Sequence, residues 1–134
     1  MMDYSIGEFA KLVGVKEHTL RFYEKEGLIE VKRKGNNVRV YTDVDQRWIE
    51  FLLHMKGTGM SLADLKQYTQ WRFEGDITIA ERLDLLKKQK MQVEVELEKF
   101  LQNLNVLNRK IELYEGKLNG IKADFKLSLK EPSN

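Results

Sequence analysis

The chain has no cysteine, a single proline and no long apolar run. The lack of cysteine excludes disulfides, thiolate metal ligands and thiol redox sensors, and it leaves His18 and His54 as the imidazoles. We therefore expect no metal site and no cofactor. No segment approaches the roughly 18 apolar residues of a membrane helix, and the first residues lack the apolar core of a signal peptide. The sequence predicts a soluble, cytoplasmic protein with no membrane partner.

Length and motifs also argue against an enzyme. A chain of 134 residues has the size of one domain, or of a small domain with an appendage. It has no glycine-rich phosphate loop and no supported Ser/His/Asp arrangement, and its paired carboxylates occur at helix starts and on helix surfaces. A binding protein is the better prediction.

Positive charge is concentrated in one part of the chain. The net charge is only +2, but Lys11 to Tyr41 holds eight Lys or Arg residues against four Asp or Glu. Residues 31–41 have four basic residues and no acid, whereas from Phe73 onward eleven basic and eleven acidic residues cancel. Such a local excess favours a polyanion-binding surface in the first part of the chain.

The first residues follow a helix-turn-helix pattern. Ser5 and Glu8 form a capping-box signature, and apolar residues then recur at helical spacing until Gly14. A second run, through Leu20, has the same spacing and ends at Gly27. Two short helices around a glycine-containing turn have the spacing of a helix-turn-helix.

A hairpin and two more helices are predicted next. Leu28 to Tyr41 alternates apolar and polar residues around the Lys34-Gly35-Asn36-Asn37 turn, whose residues tolerate positive φ. We therefore predict a small β-hairpin, or wing. Thr42 and Ser61 are expected to cap the third and fourth helices, and Gly75 marks a hinge. The globular part is predicted to span residues 1–74.

One set of positions in the rest of the chain forms a narrow apolar stripe, interrupted by Lys90. From Ile79 these positions recur in alternating steps of four and three over six heptads, as in a coiled-coil seam. We predict a dimerisation helix over residues 75–125 that pairs two copies of the chain. Because Gly116 and Gly120 weaken the helix end, residues 126–134 are expected to be a tail. The predicted seam residues are Leu83, Leu86, Val93, Leu97, Phe100, Leu104, Leu107, Ile111, Tyr114 and Leu118.

The segments S-I-G-E-F-A-K-L-V-G-V, T-L-R-F-Y-E-K-E-G-L-I and R-x-x-x-N-V-R-V-Y-T resemble the DNA-binding domain of the MerR family of transcriptional regulators. The resemblance covers about the first 70 residues, and the long helix is similar in position to the family's antiparallel dimerisation helix. It implies a mainly α fold, with a winged helix-turn-helix followed by a dimerising coiled coil. It also implies a homodimer on a pseudo-palindromic promoter operator, which distorts the DNA before RNA polymerase starts.

Candidate DNA contacts lie on the second helix and the wing. Side chains at the start of the second helix are expected to enter the major groove, and basic or aromatic residues around them to reach phosphates. The alternative is an ordinary solvated face, and Arg39 could instead pin the hairpin through Asp43 or Asp45. The predicted contacts are Ser5, Lys16, Glu17, His18, Thr19, Arg21, Tyr23, Arg33, Lys34, Asn37, Arg39 and Tyr41.

Two departures from the family pattern bear on function. Lys16 stands where the family usually has Ser, so a helix cap is exchanged for a cation. The chain is most similar to the small aldehyde-responsive branch, but His54 aligns with the reactive cysteine of that branch. A small-molecule effector is hypothesised near His54, Tyr68, Trp71 and Phe73, with plain core packing as the alternative.

Two other functions would fit a helix-turn-helix joined to a coiled coil. A scaffold protein could use the same elements for protein contacts, but it would show no salt-dependent binding to a palindromic duplex. An architectural protein would bend DNA without an effector. The basic wing favours the regulator over the scaffold.

Overall fold

The computed structural model describes residues 2–130 and confirms the predicted fold class. The chain forms two compact units, one up to Lys90 and one from Met91 onward. Short 3-10 turns occur at Gly35–Asn37 and Asp76–Thr78. The elements are β1 (Asp3–Tyr4), α1 (Ile6–Val13), α2 (Glu17–Lys25), β2 (Lys32–Lys34), β3 (Val38–Thr42), α3 (Asp43–Gly57), α4 (Leu62–Glu74) and α5 (Ile79–Lys130).

Three helices begin directly after the predicted capping residues. The Glu8 amide donates to Ser5 Oγ at 3.2 Å, and the Ser5 amide donates to Glu8 Oε1 at 3.0 Å, which holds the pKa of Glu8 below its usual range. Thr42 caps α3 with the same reciprocal arrangement. The Ser61 side chain accepts a hydrogen bond from the Asp64 amide in the first turn of α4. Gly14 ends α1 at φ +74°, a conformation that a side chain would disfavour.

The wing is part of a three-stranded antiparallel sheet in the order β1-β3-β2. Asn36 and Asn37, at φ +65° and +62°, confirm the predicted positive-φ turn. Strand β1 was not predicted, because two residues are too few to show an alternating pattern. It pairs Asp3 with Thr42 and so ties the start of the chain to the wing.

The core of the first unit lies among α1, α2, α3 and β3. Phe9 stacks on Tyr41 with ring centroids 4.5 Å apart, and the Trp48 indole donates to the Leu28 carbonyl at 2.8 Å. Leu62, at the start of α4, is exposed. The buried apolar residues are Phe9, Ala10, Leu20, Tyr23, Leu28, Ile29, Tyr41, Ile49, Leu52, Met60 and Leu65.

The start of α5 belongs to the first unit rather than to a separate dimerisation segment. Leu85 and Leu86 pack against the core, and Gln89 Nε2 donates to the Thr58 carbonyl at 3.0 Å. The compact unit therefore extends to Lys90, past the boundary predicted at residue 74. None of the helices between residues 2 and 130 combines the length and hydropathy of a membrane span.

Helix α5 continues through residue 130, so the prediction of a tail from residue 126 is wrong for residues 126–130. Gly116 and Gly120 each cost only about 1 kcal/mol in a helix, and the surrounding Leu and Lys residues favour it. The rest of the predicted tail, residues 131–134, lies outside the described residues.

Candidate nucleic-acid interface

Helix α2 presents its first turn to solvent. Lys16, Glu17, His18 and Arg21 are exposed, and Thr19 is half-buried. Lys16 occupies the N-cap position, and its side chain offers no acceptor to the amides of the first turn. The helix start thus combines uncapped N–H groups with a cation, and both attract phosphate oxygens.

A surface groove of about 770 Å³ runs between α1 and the start of α2. Gly7 lies close to the start of α2, since a Cβ there would lie 3.0 Å from Glu17 Oε1, the end of an exposed side chain. Arg21 Nη2 lies 3.4 Å from Glu17 Oε2. The groove brings together five of the predicted DNA contacts, which are Ser5, Lys16, Glu17, His18 and Arg21.

The prediction that Tyr23 reaches a phosphate is wrong for this structure. Its side chain is only 2% exposed, and burial raises the pKa of its hydroxyl. Residues two apart on a helix point to nearly opposite sides, so an exposed Arg21 places Tyr23 in the core. Tyr23 therefore packs in the core and holds α2 against it.

The same correction applies to Tyr41. It is 1% exposed, because it lies at the end of β3 under α1 and stacks on Phe9. Burial also raises the pKa of its hydroxyl. Tyr41 is a core residue and not part of the wing surface.

The wing arginines bind a carboxylate of α2. Arg33 Nη2 donates to Glu24 Oε2 at 2.8 Å, and Arg39 Nε donates to Glu24 Oε1 at 2.9 Å. Arg33 Nη1 also donates to the Asn37 carbonyl at 3.2 Å. The hairpin is therefore pinned to the second helix, and the alternative in which Arg39 uses Asp43 or Asp45 is wrong.

The lysines of the wing remain on the surface. Lys32 is exposed, and Lys34 Nζ lies 3.2 Å from Asp3 Oδ2 in a pair whose side chains are 67% and 48% exposed. Such an exposed pair contributes little stability and exchanges easily with other ions. Both lysines can therefore reach a phosphate.

Other acidic residues link neighbouring helices and strands through ion pairs and hydrogen bonds. Glu26 Oε2 lies 2.6 Å from Lys66 Nζ, which links the end of α2 to α4, and this contact lowers the pKa of Glu26. The Tyr4 hydroxyl donates to Asp43 Oδ1 at 3.1 Å. The Glu24 and Glu26 contacts were not predicted from the sequence. The only available signal was that both acids lie on a helix next to an otherwise basic segment.

The predicted seam residues lie along α5, and most are exposed in the single chain. Their exposed fractions run from 36% at Val93 to 69% at Phe100. Leu86 is the exception, because it packs against the core of its own chain. Coiled coils typically bury apolar columns of this kind.

The predicted effector group is only partly assembled. Tyr68 contacts Phe51 and Trp48, with ring centroids 5.2 Å and 6.1 Å away, and Arg72 lies 4.1 Å above the Trp48 ring. Trp71 and Phe73 make no ring contact among residues 2–130, and Phe73 is 56% exposed. The hypothesis of an effector near these residues stays a prediction. The exposed His54 lies on α3.

Across the described residues, no three His, Asp or Glu side chains come close enough together to hold a metal ion. The polar groups of the α1–α2 groove and the wing are a mixture of cations, amides and single carboxylates. This arrangement suits contact with a phosphate backbone and with base edges.

Comparison with known proteins gives matches over most of the chain. Residues 4–70 match the model of the MerR HTH family regulatory protein. An uncharacterised HTH-type transcriptional regulator of Haemophilus influenzae is 37% identical over 115 residues, 85% of each chain. The HTH-type transcriptional regulator AdhR of Bacillus subtilis is 39% identical over 90 residues, 66% of this chain and 64% of that one.

Two solved structures share the fold. One is HiNmlR, described as a MerR family regulator lacking the sensor domain and bound to promoter DNA. It has a TM-score of 0.79 and 37% identity over 86% of this chain and 92% of that one. The other is described as a MerR family regulator from Listeria monocytogenes, with a TM-score of 0.85 and 32% identity over 92% of this chain and 94% of that one.

Proposed function

Since the chain belongs to the MerR family of helix-turn-helix regulators, we propose that it binds a pseudo-palindromic promoter operator as a homodimer and distorts that DNA to control transcription initiation. It is a DNA-binding transcriptional regulator and not an enzyme, as its relatives are regulators. We propose that it acts in the bacterial cytoplasm, where promoters lie.

The observation that carries the proposal is the α1–α2 groove beside the wing. Lys16, His18 and Arg21 line the groove, and Lys32 and Lys34 are exposed on the hairpin. A recognition helix in the major groove with a wing on the flanking backbone would use these two surfaces together. The structural relative HiNmlR, which was solved on promoter DNA, supports the same use.

The exposed column on α5 supports the homodimer. Leu97, Leu104 and Ile111 are each at least half exposed in the single chain, although they are apolar. A second copy of the same helix offers the matching column, and two DNA-binding units then read two half-sites.

Distortion of the operator follows from how a dimer meets a duplex. In a dimer, the two wings would contact the DNA backbone outside the two recognition helices. They would bring positive charge to both flanks of the site, which favours bending of the DNA toward the protein. RNA polymerase would then meet a promoter whose recognition elements have been brought into register. A small-molecule effector near His54, Tyr68, Trp71 and Phe73 stays a hypothesis.

The test is selection of bound duplexes from a random pool with purified protein, followed by salt titration on the selected site. We expect a palindromic site, and an affinity that falls steeply as salt rises. Placing that site at different positions along a duplex and measuring gel mobility then reports bending. Recovery of no preferred sequence would refute operator binding, and position-independent mobility would refute distortion.

A further inference from the structure

We propose that Glu24 is a positioning residue for DNA selection: it fixes the wing against the recognition helix and withholds two wing arginines from indiscriminate phosphate contact. The inference rests on the proposed function, since it concerns how the same surface separates operator from random DNA. It adds to that function a residue that need not touch the DNA itself.

Both oxygens of the Glu24 carboxylate are used by the wing. Oε1 accepts from Arg39 Nε at 2.9 Å, and Oε2 accepts from Arg33 Nη2 at 2.8 Å. The three side chains are only 23–30% exposed, so their contacts are partly desolvated. Charge-assisted hydrogen bonds in such surroundings hold geometry better than pairs in open water.

The strand register explains why the wing needs this carboxylate. Arg33 and Arg39 lie directly opposite each other in the β2–β3 ladder. Like charges at such a position destabilise a hairpin, and a carboxylate between them removes the repulsion. Arg33 also holds the turn through the Asn37 carbonyl. One side chain of α2 therefore connects to both strands and, through Arg33, to the turn.

Loss of this carboxylate would change binding in a particular direction. The wing would no longer be held at a fixed distance from α2, so contacts in the major groove and on the flanking backbone would not be made together. The two released arginines would attract any phosphate backbone, whatever its sequence. Affinity for random DNA should rise while preference for the operator falls.

The experiment compares Glu24→Gln with Glu26→Gln. Both variants remove one negative charge from the end of α2, but Glu26 pairs with Lys66 of α4 and not with the wing. Affinity for the selected operator and for a random duplex is measured over a series of salt concentrations. For Glu24→Gln we expect a salt slope steeper by about 1 to 2 and an operator preference about tenfold lower. Glu26→Gln should keep the preference within about twofold.

Equal changes in the two variants would overturn the proposal, because net charge alone would then explain them. A second comparison decides the matter even if Glu24→Gln does not fold. Arg33→Gln should reduce the salt slope on random DNA less than Lys32→Gln does, because Glu24 already occupies Arg33 while Lys32 is exposed. Equal reductions would show that Arg33 contacts phosphates freely, and the proposal would fall.

The two comparisons also separate this inference from the proposed function. A wild-type protein that prefers no duplex would refute the regulator proposal. The Arg33→Gln and Lys32→Gln slopes are measured on random DNA, so they would still show whether Glu24 withholds an arginine.

Discussion

Two tyrosine hydroxyls, those of Tyr23 and Tyr41, are buried without a hydrogen-bond partner among residues 2–130. A buried hydroxyl in this situation costs about 1–3 kcal/mol, which the burial of the aromatic ring offsets. The two rings therefore stabilise the unit as apolar groups, and their polar tips weaken it.

Replacing Tyr41 by Phe should raise the free energy of unfolding by at least about 1 kcal/mol and leave DNA affinity unchanged. Urea denaturation measures the first effect and operator titration the second. Tyr4→Phe is the matched control, since its hydroxyl donates to Asp43 and its loss should destabilise the protein. Weaker operator binding by Tyr41→Phe would show that the hydroxyl reaches the DNA after all.

Arg21 is exposed on α2. Arg21→Ala should lower affinity for all duplexes without separating the proposed dimer. The physical reason is the loss of one phosphate contact, which should also reduce the salt slope by about 1. Titrations on operator and random DNA, with sedimentation for the dimer, check both points. If the variant bound as tightly as the wild type, Arg21 would be removed from the phosphate contacts.

Acid should weaken the unit partly through Glu26. Contact with Lys66 lowers the pKa of Glu26 in the folded state, so its contribution is present at neutral pH and is lost as pH falls through the folded pKa. Glu26→Gln should therefore make stability less dependent on pH below the usual pKa of a glutamate, about 4.3. Denaturation midpoints at a series of acidic pH values test this, and a dependence equal to that of the wild type would contradict it.

The sequence predicted residue environments well where a local rule applied and poorly where a face had to be chosen. Ser5, Thr42 and Ser61 were correctly identified as caps, because capping depends on residues three positions away. Tyr23 was misplaced because it shares a helix with Arg21, although helical geometry puts the two on different sides. Tyr41 was misplaced because only the tertiary fold lays α1 over the end of β3.

At the scale of elements, α2 begins with a compromise between stability and binding. Lys16 gives the helix no side-chain cap, although the neighbouring helix α1 has a complete capping box. The residue thus lowers the stability of the helix whose first turn forms the groove. It also adds a cation to that groove.

Lys16→Ser should separate these two effects. A serine cap should raise the free energy of unfolding by about 1 kcal/mol, while loss of the cation should weaken DNA binding and reduce the salt slope by about 1. Denaturation and salt titration of the same preparation give both values. Lys56→Ser, at an exposed position of α3 that does not line the groove, controls for simple charge loss. If Lys16→Ser were no more stable than the wild type, Lys16 would not be the reason that the helix lacks a cap.

The elements themselves were largely visible in the sequence, but the contacts between them were not. Periodicity predicted the helices and the Lys34–Asn37 turn predicted the hairpin, since both depend on neighbouring residues. Strand β1 and the link from Glu24 to the wing were missed, because they join residues whose proximity arises only in the folded chain. The groove residues near the start of α2 were predicted because they are consecutive.

At the scale of the whole molecule, the exposed column of α5 should control assembly. Changing both Leu97 and Leu104 to Glu would place charge inside the proposed seam and should give monomers that bind the operator weakly. Sedimentation at several concentrations measures assembly. The double change Glu98→Gln and Gln102→Glu alters polar residues between those positions and should leave the dimer intact. A Leu97 and Leu104 variant that still sedimented as a dimer would show that the seam lies elsewhere.

In the proposed homodimer, the same apolar column would make promoter control depend on the cellular concentration of the chain. A chain that must find a second copy before it can occupy both half-sites responds to the square of its concentration when most chains are still monomeric. A twofold rise in synthesis would then give about a fourfold rise in dimers. While most chains are monomeric, the concentration of dimers would thus rise more steeply than expression of the chain. The concentration at which dimers form would depend on how tightly two α5 helices pair.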